Sequence, residues 1–501
     1  MLLIGLCLAE TPLLLGEDRL PDYSWAGHSA GELPSRAATS DVRDFGAVGG
    51  GTLDDHAAFQ LALDQGGVVW VPEGTWLIGD VLRITRSGTV LQGAGEDTVL
   101  LFPNPLADLL GEQDHWSWNG GLIWVEGPGL GATLTATGEA VRGDTTLSVD
   151  DSSGIEVSDV VVLALTDDDD SSLGWHLHND QEGPGDCEWQ RPVTLRVPLR
   201  VEAVAEGEVT FSPPLRHDVR AVWNPELRSL EPLSEVGVEH LGIRFAETEY
   251  AGHLEEPGYN GVFFEAGVVD SWVRDVELVN ADNGVLVDTL TRDITVREVT
   301  FSGREGHHGL NVANSYDGLY EELTYETNFV HGTTVDHRAA GNVFHRIRVE
   351  PDIVLHLDHH RDGPFENLYT AITGELDLVN GGSWCAGQPG GARNTFWALQ
   401  TPLWPPYWKH VQTNLVGPSM DIDSMTADRE WIEVLDVVEP RNLFLYQRAQ
   451  RLGLQYEDTG LSEEVVEEDP ETCGCRSSSL GAFVFLLPLL RRRGRRASQP
   501  G

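Results

Sequence analysis

Nine residues between positions 307 and 361 are spaced to act together in moving a proton, holding an anion or binding a cation: His307, His308, Asn311, Asp336, His337, His356, Asp358, His359 and Arg361. They fall in a repeat. Successive segments open GVFFEAG at Gly261, GVLVDTL at Gly284, GLNVANS at Gly309, GTTVDHR at Gly332 and VLHLDHH at Val354, at spacings of 23, 25, 23 and 22 residues. Strand alternation points Val262/Phe264, Val285/Val287, Leu310/Val312, Thr333/Val335 and Leu355/Leu357 inward. The next outward positions are then Phe263, Leu286, Asn311, Thr334 and His356, followed by Glu265, Asp288, Ala313, Asp336 and Asp358. Neighbouring coils stack at about 4.8 Å, so this spacing predicts Asp336 beside Asp358. Two carboxylates that close do not both ionise cheaply: one takes a proton and serves as a general acid, or a cation or arginine sits between them.

His337-Arg338 and His359-His360-Arg361 follow the two aspartates as a basic ladder, and Asn260, Asn283, His308 and His331 form a column at the preceding turn, with His307 beside it. Taken singly, Asp and Asn columns on turns hold backbone. Their convergence with His and Arg on three coils points to a site offering a general acid, a general base and a cationic stabiliser. The catalytic assignment is Asp336, Asp358, His308, His337, His359 and Arg361, and His307, Asn311, His356 and His360 are assigned to substrate. Farther on, the Pro-flanked loop bearing Trp404 and Trp408 offers rings on which a sugar can stack.

A period in the low twenties must be built from short strands that bury their apolar faces only by stacking on neighbouring coils, which is a parallel β-helix. Each coil has a second strand: WVRDVEL, ITVREVTF, LYEELTY, VFHRIRV and PFENLYT. Upstream, a short amphipathic helix from about 54 to 64 precedes Gly- and Pro-broken apolar runs to Leu101, a cap followed by the first coils. Residues 131–235 instead alternate with hairpin-like turns and read as a β-rich insertion. Its Asp167 to Asp170 run and Trp175-His176-Leu177-His178 read as a solvated loop. The expected fold is all-β: a right-handed parallel β-helix with an N-terminal capping helix and that insertion. The expected segments are 1–19 leader, 20–130 lead-in and first coils, 131–235 insertion, 236–455 main coils and C-terminal cap, and 456–501 acidic linker and tail.

Eighty acidic against 33 basic residues give a net charge of -47, and Lys409 is the single lysine. Such a surface repels nucleic acid and anionic lipid, which weighs against both as partners, and accepts a polyanion only where a cation or arginine intervenes. Met1 to Ala9 is apolar and ends in a small residue, a weak export signal. The C-terminus runs from an acidic stretch through Cys473-Gly474-Cys475 to an apolar run, Leu480 to Leu490, and then arginines; it resembles a myxosortase-type sorting tail. That resemblance implies a sorting protease acting at Cys473/Cys475 and a protein that is exported and ends at the cell surface or outside the cell. Cys187 and Cys385 remain in the body and suit one disulfide in an oxidising compartment.

The stretch DFGAVGGGTLDDHAAFQLAL with GGVVWVPEGTWLI is similar to the entry segment of the pectate-lyase-like superfamily of right-handed parallel β-helices. GREGHHGLNV, LDHHRDGPFENLYTAIT, the DYSWAG start and the late Thr395-Phe396-Trp397 also resemble a branch of it. Its members include polysaccharide lyases, glycoside hydrolases, epimerases and phage tailspikes. The resemblance to polygalacturonases rests on Asp282, Gly306-His307-His308-Gly309 and Arg346-Ile347-Arg348, without the second acidic residue at Asn283. The resemblance to pectate lyases implies calcium on Asp336 and Asp358, with Arg338 or Arg361 as base. Together these imply a carbohydrate-active protein that cleaves a polysaccharide by acid/base chemistry, as a lyase or a glycoside hydrolase. The alternative is a non-catalytic surface adhesin, and the chain leaves monomer or trimer open.

Overall fold

The computed structural model describes residues 19–113, 115–180, 192–379, 390–399, 412–417, 431–433 and 438–456. The leader, Cys187, Cys385, Trp404, Trp408, Cys473 and Cys475 lie outside them. Contacts divide the chain into Met1–Leu461 and Ser462–Gly501, and the second unit also lies outside.

Among the described residues the chain winds as a right-handed parallel β-helix with sheets of 14, eight and four strands. The eight-stranded sheet carries the site: Leu82–Ile84, Ile123–Glu126, Asn260–Glu265, Asn283–Val287, Gly306–Ala313, Phe329–Asp336, Val354–His359 and Glu375–Val379 stack in that order. Val262 pairs with Val285, Val285 with Leu310 and Leu310 with Thr333, so the inward column is continuous. These residues join one core that runs from Val42 to Leu415. Thr333 is the polar exception, and its hydroxyl is satisfied by the Tyr325 hydroxyl at 2.8 Å.

The first turns are closed by the helix His56–Gln65, whose Ala58, Phe59, Ala62 and Leu63 pack into that core. The 14-stranded sheet is creased once per coil, at Asp275, Glu298, Glu322, Arg346 and Ala371, each with positive φ. These residues stand where the ladder skips a pair, so each strand bends there.

Strands between Thr133 and Leu230 form a six-stranded antiparallel sheet. Its apolar side packs on Tyr316, Ala340 and Phe365 of the solenoid. Buried charges pin the joint: Arg216 bridges Asp317 and Glu366, and Arg142 and Arg393 also pair with Glu366.

The helix Leu443–Leu452 is capped by Asn442, whose Oδ1 accepts the Leu445 amide at 3.0 Å. The C-terminal cap expected within 236–455 would close the end of the solenoid. The structure lays this helix along the flank, where Leu443 and Phe444 join Tyr23, Leu319, Val343, Leu368 and Trp397. Those outward apolar residues of the long sheet offer it a dry surface. No helix among the described residues is long and apolar enough to cross a membrane.

Candidate functional site

The strand register corrects the predicted aspartate pair. Thr333 pairs with Leu357, Thr334 with Asp358 and Val335 with His359, so Asp358 stands two residues along from Asp336 instead of beside it. After the turn at 351–352 the next strand resumes at Val354, two residues early relative to the coils before it. A slip of two preserves alternation, so Leu355 and Leu357 remain inside. By the same alternation His359, two residues beyond Leu357 and paired with inward Val335, faces the core, against Tyr369 and Phe396 at ring distances of 5.4 and 5.9 Å. His359 is therefore a core histidine and not part of the exposed face; burial pushes its pKa down to about 3.

What the register builds instead is two outward histidines, His337 and His360, each backed by an aspartate, with buried His331 sharing the second. Asp358 Oδ2 lies 3.0 Å from His360 Nδ1 and 2.9 Å from His331 Nδ1. Asp336 Oδ1 lies 3.1 Å from His337 Nδ1, and Asp336 Oδ2 lies 3.4 Å from Arg361 Nε. The aspartates are covered, whereas the His360, His337 and Arg361 side chains keep 19%, 24% and 29% of their surface. Burial by itself would raise both carboxyl groups. For Asp336, His337, His360 and Arg361 outweigh it and hold the carboxyl down to about 2. For Asp358, hydrogen bonds and charge from His331 and His360 do the same, well below the ordinary carboxylate range. Burial lowers His337 and His360, but their aspartates outweigh that and raise both. Each outward ring is therefore poised to exchange a proton while its aspartate fixes orientation.

Beside them runs a hydrogen-bonded ladder. Asn283 Nδ2 donates to Asn260 Oδ1 at 2.7 Å, and Asn283 Oδ1 accepts from His308 Nδ1 at 2.9 Å. Asn260 Nδ2 donates in turn to the carbonyls of Trp116 and Asn119. His308 is thus buried and held by its neighbours, and burial, then His307 and His331, push its pKa far down. It positions His307, whose ring lies 4.1 Å away, and does not reach the exposed face. Asn311 lies in one column with Thr334 and Asp358, and Asn311 Oδ1 and Thr334 Oγ1 find no hydrogen-bond partner. His356, two residues before Asp358 on the same side, donates Nδ1–H to the Val330 carbonyl at 2.8 Å.

Two participants escaped the sequence reading. His253 and Glu256 lie in the connection 246–259, which has no periodicity to expose them. His253 packs on His307 and His331 at ring distances of 4.9 and 5.5 Å, and Glu256 Oε1 lies 3.5 Å from His307 Nδ1. Tyr250 and Glu256, flanked by Gly252, Pro257 and Gly258, were the available signal.

Calcium does not suit Asp336 and Asp358. It takes six to eight oxygen ligands, whereas the groups closest to these carboxylates are imidazole nitrogens and a guanidinium. The residues that carry the polygalacturonase resemblance are also occupied structurally. Asp282 accepts the Gly258 and Tyr259 amides and pairs with Arg304 at 2.6 Å, and Ile347 is in the core. Arg338 pairs with Asp362 at 3.2 Å.

The class these features define is a right-handed parallel β-helix with a His/Asp/Arg face on two consecutive coils. Residues 39–104 match a protein-family model described as "Rhamnogalacturonase A/epimerase, pectate lyase-like". The pre-neck appendage protein of Bacillus phage B103 is 29% identical over 133 residues, 25% of this chain and 15% of the phage protein. The chain thus spans only a small part of that relative. Tailspike gp61 of Pseudomonas phage phi297 aligns at 12% identity and a TM-score of 0.42, over 80% of this chain and 76% of that one. The Gp54 tailspike of Acinetobacter baumannii bacteriophage AP22, solved with a capsular saccharide, aligns at 12% identity and a TM-score of 0.45, over 80% and 65%.

Proposed function

We propose that this chain is an exported, carbohydrate-active protein that cleaves a uronate-containing polysaccharide by β-elimination on the face formed by His337, His360 and Arg361. The observation that carries this is the pair of partly exposed histidines, each backed through Nδ1 by a buried aspartate, beside one guanidinium. Elimination needs a base for the proton next to the uronate carboxylate, an acid for the departing glycosidic oxygen and a cation for the carboxylate. His360 serves as base, His337 as acid and Arg361 as the cation. Arg361 also answers the electrostatic objection that a chain of charge -47 makes to an anionic glycan. Hydrolysis by a carboxylate pair is less well served, because Asp336 and Asp358 are covered and tied to His and Arg.

The name of the family matched by residues 39–104 supports a carbohydrate substrate. Export, and processing by a sorting protease at Cys473 and Cys475, belong to the same reading, as does sugar stacking on Trp404 and Trp408. The test is a panel of uronate and neutral polysaccharides incubated with the full-length chain. New reducing ends with ultraviolet absorbance of an unsaturated uronide are expected. New ends without that absorbance would mean hydrolysis, and retention of glycan without new ends would mean an adhesin.

A further inference from the structure

Next to the proposed cleavage face, where the His331 ring lies 5.0 Å from that of His360, three histidines from three separate segments converge. His253 comes from the connection 246–259, His307 from the strand Gly306–Ala313 and His331 from the next strand, Phe329–Asp336. One ring nitrogen of each lies within 4.8 Å of those of the other two. We propose that His253, His307 and His331 form a binding site for one first-row divalent transition ion, with zinc as the probe.

A merely packed trio of imidazoles would be expected to spend its buried nitrogens on hydrogen bonds, because an unpaired buried polar atom is costly. Here it does not. His307 is 2% exposed and hydrogen-bonds the Ser117 backbone, yet its Nδ1 has no hydrogen-bond partner. That leaves a lone pair for a metal on a ring whose other nitrogen is already fixed. His331 has Asp358 Oδ2 2.9 Å from its Nδ1, the carboxylate that commonly stands behind a ligating histidine. His308, locked by Asn283, packs against both rings at 4.1 and 5.2 Å and restricts their rotation.

Three imidazoles select a transition ion over calcium or magnesium, which prefer oxygen. A three-histidine set also leaves a coordination position for water or a ligand oxygen. A closing contraction of the 4.8 Å cluster is required, since zinc–nitrogen bonds are about 2.0–2.1 Å. His253 is exposed and sits in a connection, so it is the ligand best able to move in. The alternative set His331, Asp358 and His360 is already joined internally by the 3.0 Å hydrogen bond from His360 to Asp358. The ion's role rests on the elimination reading: a second positive centre, on the His360 side of the face, for a uronate carboxylate, since the His331 and His360 rings lie 5.0 Å apart. Its binding does not rest on that reading.

The experiment is zinc binding by the chelator-treated full-length chain, followed by titration calorimetry and metal analysis, with cobalt substitution read by visible absorption. The chain carries five cysteines, so the readout is the difference between variants. The expected result is one site-dependent ion per chain, weakened at least about ten-fold by His253→Ala and lost in His331→Ala. His240→Ala, altering a histidine paired with Asp275 on the other sheet, should bind as the parent does. His253 is exposed, so its variant tests the site even if His331→Ala fails to fold. Equal zinc and cobalt binding by the parent and His253→Ala would overturn the proposal, as would no binding by the parent. Uronide production by a chain that binds no zinc would overturn the metal site and leave the proposed function standing; zinc binding without turnover would do the reverse.

Discussion

His360 Nδ1 lies 3.0 Å from Asp358 Oδ2, with the aspartate covered and the histidine reaching the surface. If His360 is the base, His360→Ala should lower kcat by about 10²- to 10⁴-fold, the usual worth of a positioned acid or base. KM should change little. Steady-state kinetics on the glycan that gives turnover checks this, and an unchanged kcat would remove His360 from the mechanism.

Arg361 is assigned to the substrate carboxylate, and its Nε is 3.4 Å from Asp336 Oδ2. Arg361→Ala should raise KM for a uronate polysaccharide about ten-fold or more, since a hydrogen bond to a charged group contributes about 1.5–3 kcal/mol. Added salt should weaken binding to the parent more than to the variant. Equal KM values on esterified and free uronate chains would contradict the assignment.

Glu366 joins the insertion to the solenoid. Burial would raise its pKa, but Arg142, Arg393 and Arg216 outweigh burial and bring it down to about 2. A depressed carboxyl group stabilises the fold above its unfolded value of 4.5, and that contribution is lost as pH falls from there toward 2. Glu366→Gln should therefore cost about 3–5 kcal/mol at neutral pH, leaving buried guanidinium groups underpaired. It should also flatten the acid limb of the stability curve below pH 4.5, measured by denaturant unfolding across pH.

Asn342, Asn367 and Asn394 form a second ladder, on the turn that follows the site strands, where Asn367 Nδ2 also donates to the Ala339 carbonyl at 3.0 Å. Asn367 Nδ2 donates to Asn394 Oδ1 at 3.1 Å, and its Oδ1 accepts from Asn342 Nδ2 at 3.0 Å. Asn367→Ala would leave several buried groups unsatisfied, each costing about 1–3 kcal/mol. A clear fall in Tm with unchanged KM is expected; a changed KM would mean that the ladder reaches the site.

The contrast between the two ladders shows what the sequence could and could not convey. Glycine-led starts at 261, 284, 309 and 332 were legible because stacking demands one apolar column, and Val262, Val285 and Leu310 occupy it. The next coil was misaligned by two residues because Leu355 and Leu357 satisfy the inward pattern in either register. That one slip moved Asp358 away from Asp336 and hid the pairing of Asp358 with His360. His253 was invisible for a different reason: position in an irregular connection is set by tertiary contacts, which leave no period in the chain. Trp404 and Trp408 lie outside the described residues and stay as expectations.

The most direct test of the central claim compares the full-length parent with the His337→Ala/His360→Ala double variant on one uronate polysaccharide, following unsaturated-uronide absorbance and glycan binding together. The account predicts absorbance growth by the parent, loss of nearly all turnover in the double variant, and glycan binding retained by both. Equal rates of uronide formation by the two proteins would contradict it.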